Sequence, residues 1–106
     1  MKHLKIYEEL NNTKPKIGDY VICKDYLTEV YNFVLNNIGQ IIDIVSNYHG
    51  DQYVIKFENI PENIKNWFYN YNNDRNTRSY DENEILYFSN NKEDLEIILQ
   101  TKKYNL

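Results

Sequence analysis

The sequence predicts a mainly β chain of the α+β class: a small antiparallel barrel with helical insertions and a C-terminal helix. Three observations lead there. Residues 17–24, 39–45, 53–58 and 85–88 are short, apolar and strand-like, and turn residues such as Gly18-Asp19 and His49-Gly50 separate them. Two stretches between these segments, and one after them, carry apolar residues at helical spacing instead. At 106 residues, with no internal repeat or linker, residues 1–106 are one domain.

The elements follow in order. Leu4, Tyr7 and Leu10 align on a short helix over residues 1–10, and Pro15 ends what precedes it by biasing Lys14 to extended geometry. Residues 17–24 form a strand opened by a Gly-Asp turn, with Ile17, Val21 and Cys23 on one face and Tyr20 and Ile22 on the other. Both faces are apolar, so a second layer must cover the outer one. Residues 25–37 predict a helix with Asp25 as N-cap, Asn36-Asn37 as stop, and a stripe of Leu27, Val30, Tyr31, Val34 and Leu35. The strands at 39–45 and 53–58 make a hairpin around Gly50, with Tyr53, Ile55 and Phe57 on one side and Val54, Lys56 and Glu58 on the other.

Residues 60–68 read as a short helix with Pro61 at its first position and Ile60, Ile64 and Trp67 or Phe68 as its contact stripe. Residues 69–77 read as a polar loop, mobile when unbound. Short strands at 78–80 and 85–88 flank a tight turn at 81–84. The C-terminal helix spans 90–103. Asn90 and Glu93 are its capping pair, Leu95, Ile98 and Leu99 its apolar stripe, and Lys102 and Lys103 match the dipole at its end.

Composition narrows the function classes. Sixteen acids against twelve Lys and Arg give a net charge of -4, and the basic residues are scattered. Phosphate-binding domains carry a basic patch or stripe, so nucleic acid is disfavoured as partner. Eleven of the apolar residues are Tyr, which leaves the aliphatic core lean, and the mean hydropathy is -0.75. The excess of Asn, Ile, Lys and Tyr is also the pattern that AT-rich coding DNA produces. A lone Cys23 permits no intrachain disulfide and fits a reducing compartment. No apolar run approaches a membrane span, and the first ten residues lack the core of a signal peptide, so a cytoplasmic chain is expected.

Catalytic chemistry finds no support, and we expect no enzyme, no cofactor and no metal. His3 and His49 lie in different segments without a second cysteine. Cys23 sits mid-strand among apolar residues, which predicts an inert buried thiol. The carboxylate pairs Glu8/Glu9, Asp81/Glu82/Glu84 and Glu93/Asp94/Glu96 fall at turns and helix starts. No Gly-rich phosphate cradle is present.

The order of strand, insert, Gly-led strand, turn, strand, insert, tight turn and strand over about 15–88 resembles small SH3-like barrels of the chromo, Tudor and KOW sort. Residues 16–22, 38–42, 53–58 and 83–88 carry the resemblance. It implies the barrel and leaves function open, because such barrels host many partners. An aromatic cage of the Tudor kind would draw on Tyr20, Tyr48, Tyr53, Phe57 and Tyr80; core or rim packing is the plainer role for them. The start of the chain and the helix opening at 91–96 are also similar in style to small uncharacterised proteins of phages and mobile elements. That likeness implies work directed at a host or viral protein, such as inhibition of a defence protein in the manner of an anti-CRISPR.

The candidate binding surface is the stretch from Trp67 to Tyr80. It holds both arginines of the chain, Arg75 and Arg78, with Trp67, Tyr69, Tyr71 and Tyr80. Tyr, Trp and Arg dominate interface hot spots. The expected partner is therefore a protein. The alternative is a nucleic-acid-binding regulator that stacks bases on barrel-face tyrosines.

Overall fold

A computed structural model of the chain describes residues 5, 6 and 14–104. Its centre is a hairpin. β3 (Gly39–Asn47) and β4 (Gly50–Lys56) are joined by Tyr48-His49, and Gly50 takes φ 110°, a conformation that costs a residue without Cβ little. Period-two alternation sends Tyr53 and Ile55 of β4, and Phe57 just beyond it, into the core, each at most 1 % exposed.

The other strands add on both sides of this hairpin. They are β1 (Lys5–Ile6), β2 (Tyr20–Cys23), β5 (Tyr69–Tyr71), β6 (Asp74–Asp81) and β7 (Ile85–Ser89). One antiparallel sheet results, in the order β1-β7-β2-β3-β4-β6-β5. All four predicted strand segments lie in it. A ladder between the end strands β1 and β5, which barrel closure needs, is absent among the described residues.

The sheet is nonetheless strongly curled. Only Glu82–Glu84, one turn of 3-10 helix, separates β6 from β7. Four residue steps from Asp81 to Ile85 span at most about 14 Å. In a flat sheet β6 and β7, with β2, β3 and β4 between them, would lie about 19 Å apart. The short link therefore requires the sheet to roll, and bulges between Ile41 and Asp43 and between Ile22 and Cys23 help it do so.

α1 (Thr28–Leu35) packs against β2 and the 3-10 segment Glu62–Trp67, with Val30 and Val34 fully buried. Phe57 is the hub of the core. Its ring lies 5.9 Å from Phe33 of α1, 5.8 Å from Phe68 and 6.5 Å from Tyr80 of β6. Such tilted and edge contacts add about 0.5–1.5 kcal/mol each beyond burial. α2 (Lys92–Tyr104) supplies the second layer that the two-faced apolar β2 required. It packs on β7 and β2, and Ile22 and Leu95 are both fully buried outside the main cluster.

Several expectations need correction. The helix expected over 1–10 is a strand where described, at Lys5–Ile6, paired with β7; the rest of that segment lies outside the described residues. The strand expected from residue 17 begins at Tyr20, because Lys16–Asp19 closes a turn: the Asp19 N–H donates to the Lys16 carbonyl at 3.0 Å, and Ile17 is left 59 % exposed. The first helix starts three residues late, with Leu27 as its N-cap. The helix expected over 60–68 is a 3-10 segment with Pro61 as its N-cap; Ile64 and Phe68 turn inward and Trp67 outward. Asn91, not Asn90, caps α2, its Oδ1 accepting from the Glu93 N–H at 3.1 Å.

Gly39 opens β3 where its backbone meets the core. A Cβ there would stand 2.4 Å from Ile55 Cγ2 and 3.0 Å from Phe57 Cε2. We predict that Gly39→Ala destabilises the fold by about 1–3 kcal/mol through overpacking, read as a fall in denaturation midpoint. An unchanged midpoint would show that β3 shifts freely away from β4.

Candidate functional site

The segment expected as a mobile polar loop is a hairpin. β5 and β6 pair Tyr69 with Thr77 and Tyr71 with Asp74, around a turn at Asn72-Asn73. Asn72 and Asn76 take φ 54° and 66°. Asn tolerates this left-handed region better than other residues with a Cβ, so the run of asparagines supplies the turn and the irregularity that follows it.

Alternation then divides the candidate residues between two faces. On the inner face lie Arg78 and Tyr80. Asp25, which follows β2, is 95 % buried at its side chain, and its Oδ2 accepts from Arg78 Nε at 2.7 Å and from the Tyr80 hydroxyl at 2.7 Å. Its Oδ1 accepts from the Leu27 N–H at 2.9 Å. Arg78 Nη1 donates to the Trp67 carbonyl at 2.7 Å, and the guanidinium stands 5.8 Å from the Phe68 ring centre. Asp25, expected as a helix cap, is thus the acceptor of a buried cluster. Burial alone would raise its carboxyl; the hydrogen bonds of Tyr80, Leu27 and Arg78 outweigh that and hold it below the usual carboxylate range. Burial, then Asp25, pushes the Tyr80 phenol far above its ordinary value.

On the outer face lie Tyr69 and Tyr71. Gln52, Val54 and Lys56 of β4 point this way, opposite Asp43 and Val45 on β3 and Thr77, Ser79 and Asp81 on β6. The Tyr69 hydroxyl is hydrogen-bonded to Ser79 Oγ. Tyr71 reaches across the face and donates to Asp43 Oδ2, while Asp43 Oδ1 accepts from the Ile44 N–H at 2.8 Å. The bond to Asp43 raises the Tyr71 phenol. Val54 is 2 % exposed on this face although the main contacts of α1 and α2 lie on β2, β7 and the 3-10 segment. The tyrosines are thus laid over the sheet with both ends fixed, and Tyr69 remains 44 % exposed. Trp67, 42 % exposed, and the exposed Arg75 lie near them in sequence.

The aromatic residues named for a cage do not line one open pocket. Tyr53, Phe57 and Tyr80 are core residues, and Tyr48 stands free at the hairpin turn. Cys23 is a buried free thiol, raised well above its ordinary range by burial, then by Glu84 and Asp25. His49 is exposed, and among the described residues no group of three His, Cys, Asp or Glu side chains is placed to hold a metal. No helix among them is long and apolar enough to cross a membrane. The sequence reading missed Asp25 and Asp43, whose partners lie in distant segments. No protein-family model, curated protein or solved structure matches the chain.

Two measurements check this assignment. Asp25, with its carboxyl depressed, contributes stability that is present above the unfolded value near 4 and lost as pH falls through the folded one. Tyr80, raised, contributes stability that is present below about 10 and lost as pH rises past it. We expect Asp25→Asn to flatten the acid limb and Tyr80→Phe the alkaline limb of the unfolding free energy; limbs unchanged in both would detach the cluster from stability. Arg78→Met should cost about 3 kcal/mol by stranding the carboxylate. In the Asp25→Asn/Arg78→Met double variant the loss should be smaller than the sum of the two single losses.

Proposed function

We propose that this chain is a non-enzymatic protein-interaction module, and that the outer face of β3, β4, β6 and β5, with Trp67 and Arg75 beside it, meets the partner. One observation carries the reading. Two tyrosines with anchored hydroxyls lie on a sheet face away from the main contacts of α1 and α2, which are with β2, β7 and the 3-10 segment. Aromatic rings held in place lose little conformational freedom on binding, which is how interface hot spots give affinity. Of the six candidate residues, Tyr69, Tyr71, Trp67 and Arg75 form the contact surface in this proposal. Arg78 and Tyr80 act through the fold.

The sharper form is a phage-type inhibitor of a host defence protein, acting in the host cytoplasm by occluding its target in the manner of an anti-CRISPR. It rests on the likeness in size and style described above. The SH3-like reading of the sheet belongs to the same proposal. Its support is the strand order, the single 3-10 turn between β6 and β7, and the curl that this link imposes. The nucleic-acid alternative gains no basic stripe from the outer face, where Asp43, Asp74 and Asp81 stand against Lys56 and Arg75.

The test is capture of a partner from cell extract with and without nuclease, followed by its affinity for alanine variants. Trp67→Ala, Tyr69→Ala and Arg75→Ala should leave the melting temperature within a few degrees. At least one should weaken binding tenfold or more, about 1.4 kcal/mol. A partner whose capture vanishes with nuclease, or three variants with unchanged affinity, would overturn the proposal.

A further inference from the structure

We infer that the β3–β4 hairpin is a finger that enters a cleft in the partner protein, with Tyr48 as its anchor. The inference rests on the protein-interaction reading above and adds a second contact, its shape and its leading residue.

The ladders define the finger. β2 pairs with β3 only at Gly39 and Gln40, and β6 pairs with β4 only from Gln52 onward. Past those points the two strands pair only with each other among the described residues, Ser46 with Asp51 and Asn47 with Gly50. Residues 45–50 are all exposed, and the three steps from Val45 to Tyr48 project the turn about 10 Å. A two-stranded ribbon without a core is marginal on its own. Local bonds hold this one. Ser46 Oγ donates to Asp51 Oδ1 at 2.8 Å, the His49 N–H donates to Asn47 Oδ1 at 2.8 Å, and Gly50 supplies the left-handed φ of 110°. On one flank an open hollow of about 250 Å³ lies between His49, Gly50 and Asp51 and the link from β6 to β7 at Asp81, Glu82 and Asn83.

The turn leaves Tyr48 fully exposed. Turn geometry favours Asn, Asp and Gly, which Asn47, Asp51 and Gly50 provide, and it asks for no aromatic ring. The ring adds nothing to the core. On a fixed backbone it loses little freedom when a pocket takes it, and Tyr is one of the residues that dominate interface hot spots. Val45, 41 % exposed, faces the same way as Asp43 and joins the finger to the outer face already proposed. A partner that takes the finger can thus lay the rim of its cleft on that face.

Charge selects the class of partner. A two-stranded ribbon also fits the major groove of DNA, but phosphates wall that groove and call for Lys or Arg. Residues 44–52 contain neither, and their one acid, Asp51, is hydrogen-bonded to Ser46. A projection with an aromatic tip and no cation fits a protein cleft, where charged residues are depleted from the desolvated centre and Tyr is enriched.

The test places p-benzoylphenylalanine at position 48 of the full chain, with the same replacement at the exposed Ile97 of α2 as control. Both chains are irradiated in cell extract. Position 48 should give one protein adduct, mapped by mass spectrometry to residues that line a cleft of that protein, and position 97 none. Against the protein so identified, Tyr48→Ala should weaken binding about tenfold or more with the melting temperature unchanged within a few degrees. Tyr48→Phe, which keeps the ring, should retain most of the affinity. An adduct with nucleic acid, with a second copy of this chain or with a flat surface of the partner would overturn the inference. Equal yields at 48 and 97, or no adduct at 48, would do the same. The two proposed contacts separate in the variants. Unchanged affinity in Tyr48→Ala with a loss in Tyr69→Ala removes the finger and keeps the outer face. The opposite pattern keeps the finger and removes the face, and no loss in either removes both.

Discussion

The buried carboxylate of Asp25 is the constraint on which the curled sheet depends. β2 and β6 are not neighbours; β3 and β4 lie between them. Asp25 follows the last residue of β2 and accepts from two side chains of β6. Bonds of that kind form only where the sheet has rolled far enough to bring the two strands together. The Lys24 N–H donates to the Glu84 carbonyl at 2.8 Å beside it, which closes β2 onto the link between β6 and β7. Moving a carboxylate out of water costs several kcal/mol, and an ion pair alone often fails to offset that. Here one cation, one phenol and one backbone N–H converge on it. The cluster therefore specifies one curl of the sheet more than it adds net stability.

The same cluster sets the outer surface. Arg78 spans Asp25 and the Trp67 carbonyl, so the end of the 3-10 segment is held while the Trp67 ring stays in solvent. Phe68 then turns inward, 5.9 Å from Phe33 and 5.8 Å from Phe57, and Tyr69 follows outward. The proposed contact face and the core thus share one strand: β6 sends Arg78 and Tyr80 in, and Thr77 and Ser79 out. Under the proposed function, a substitution at Arg78 would lower partner affinity through the fold and imitate the loss of a contact. Only a stability measurement taken on the same variant separates the two.

How much of this was legible follows from the range of each interaction. Tyr53, Ile55 and Phe57 announced β4 because their alternation is local and uninterrupted. The capping box at Asp81 and Glu84, one turn long, was visible only as a turn, since its hydrogen bonds define a 3-10 helix that composition does not distinguish. The β5–β6 hairpin was hidden by Asn70, Asn72, Asn73 and Asn76, which read as loop residues. The signal that finds it is the spacing of Tyr69 with Tyr71 and of Thr77 with Ser79, a period of two without aliphatic residues. Asp25 was assigned to its own helix because a local cap is the short-range reading of an aspartate before an apolar stripe. Its true partners stand 53 and 55 residues away. Trp67, Tyr69, Tyr71, Arg75, Arg78 and Tyr80 were found together as a composition. Their division between two faces needed the register.

For the proposed interaction, the register also favours the face over the edges as the place of contact. β5 is three residues long, and short edge strands pair poorly with other chains. β3 pairs with β2 only at Gly39 and Gln40, so its later residues leave a longer edge among the described residues. There the Ile44 N–H is taken by Asp43 Oδ1, and a charge stands where an incoming strand would need a donor. Asp43 thus has two consequences at once. It blunts the edge against strand addition, and through Oδ2 it accepts the hydrogen bond that fixes the Tyr71 hydroxyl. In the proposed interaction, a chain that guards its edge with the residue that orders its aromatic surface would associate through side chains. Side-chain recognition is selective in a way that backbone pairing at an open edge is not.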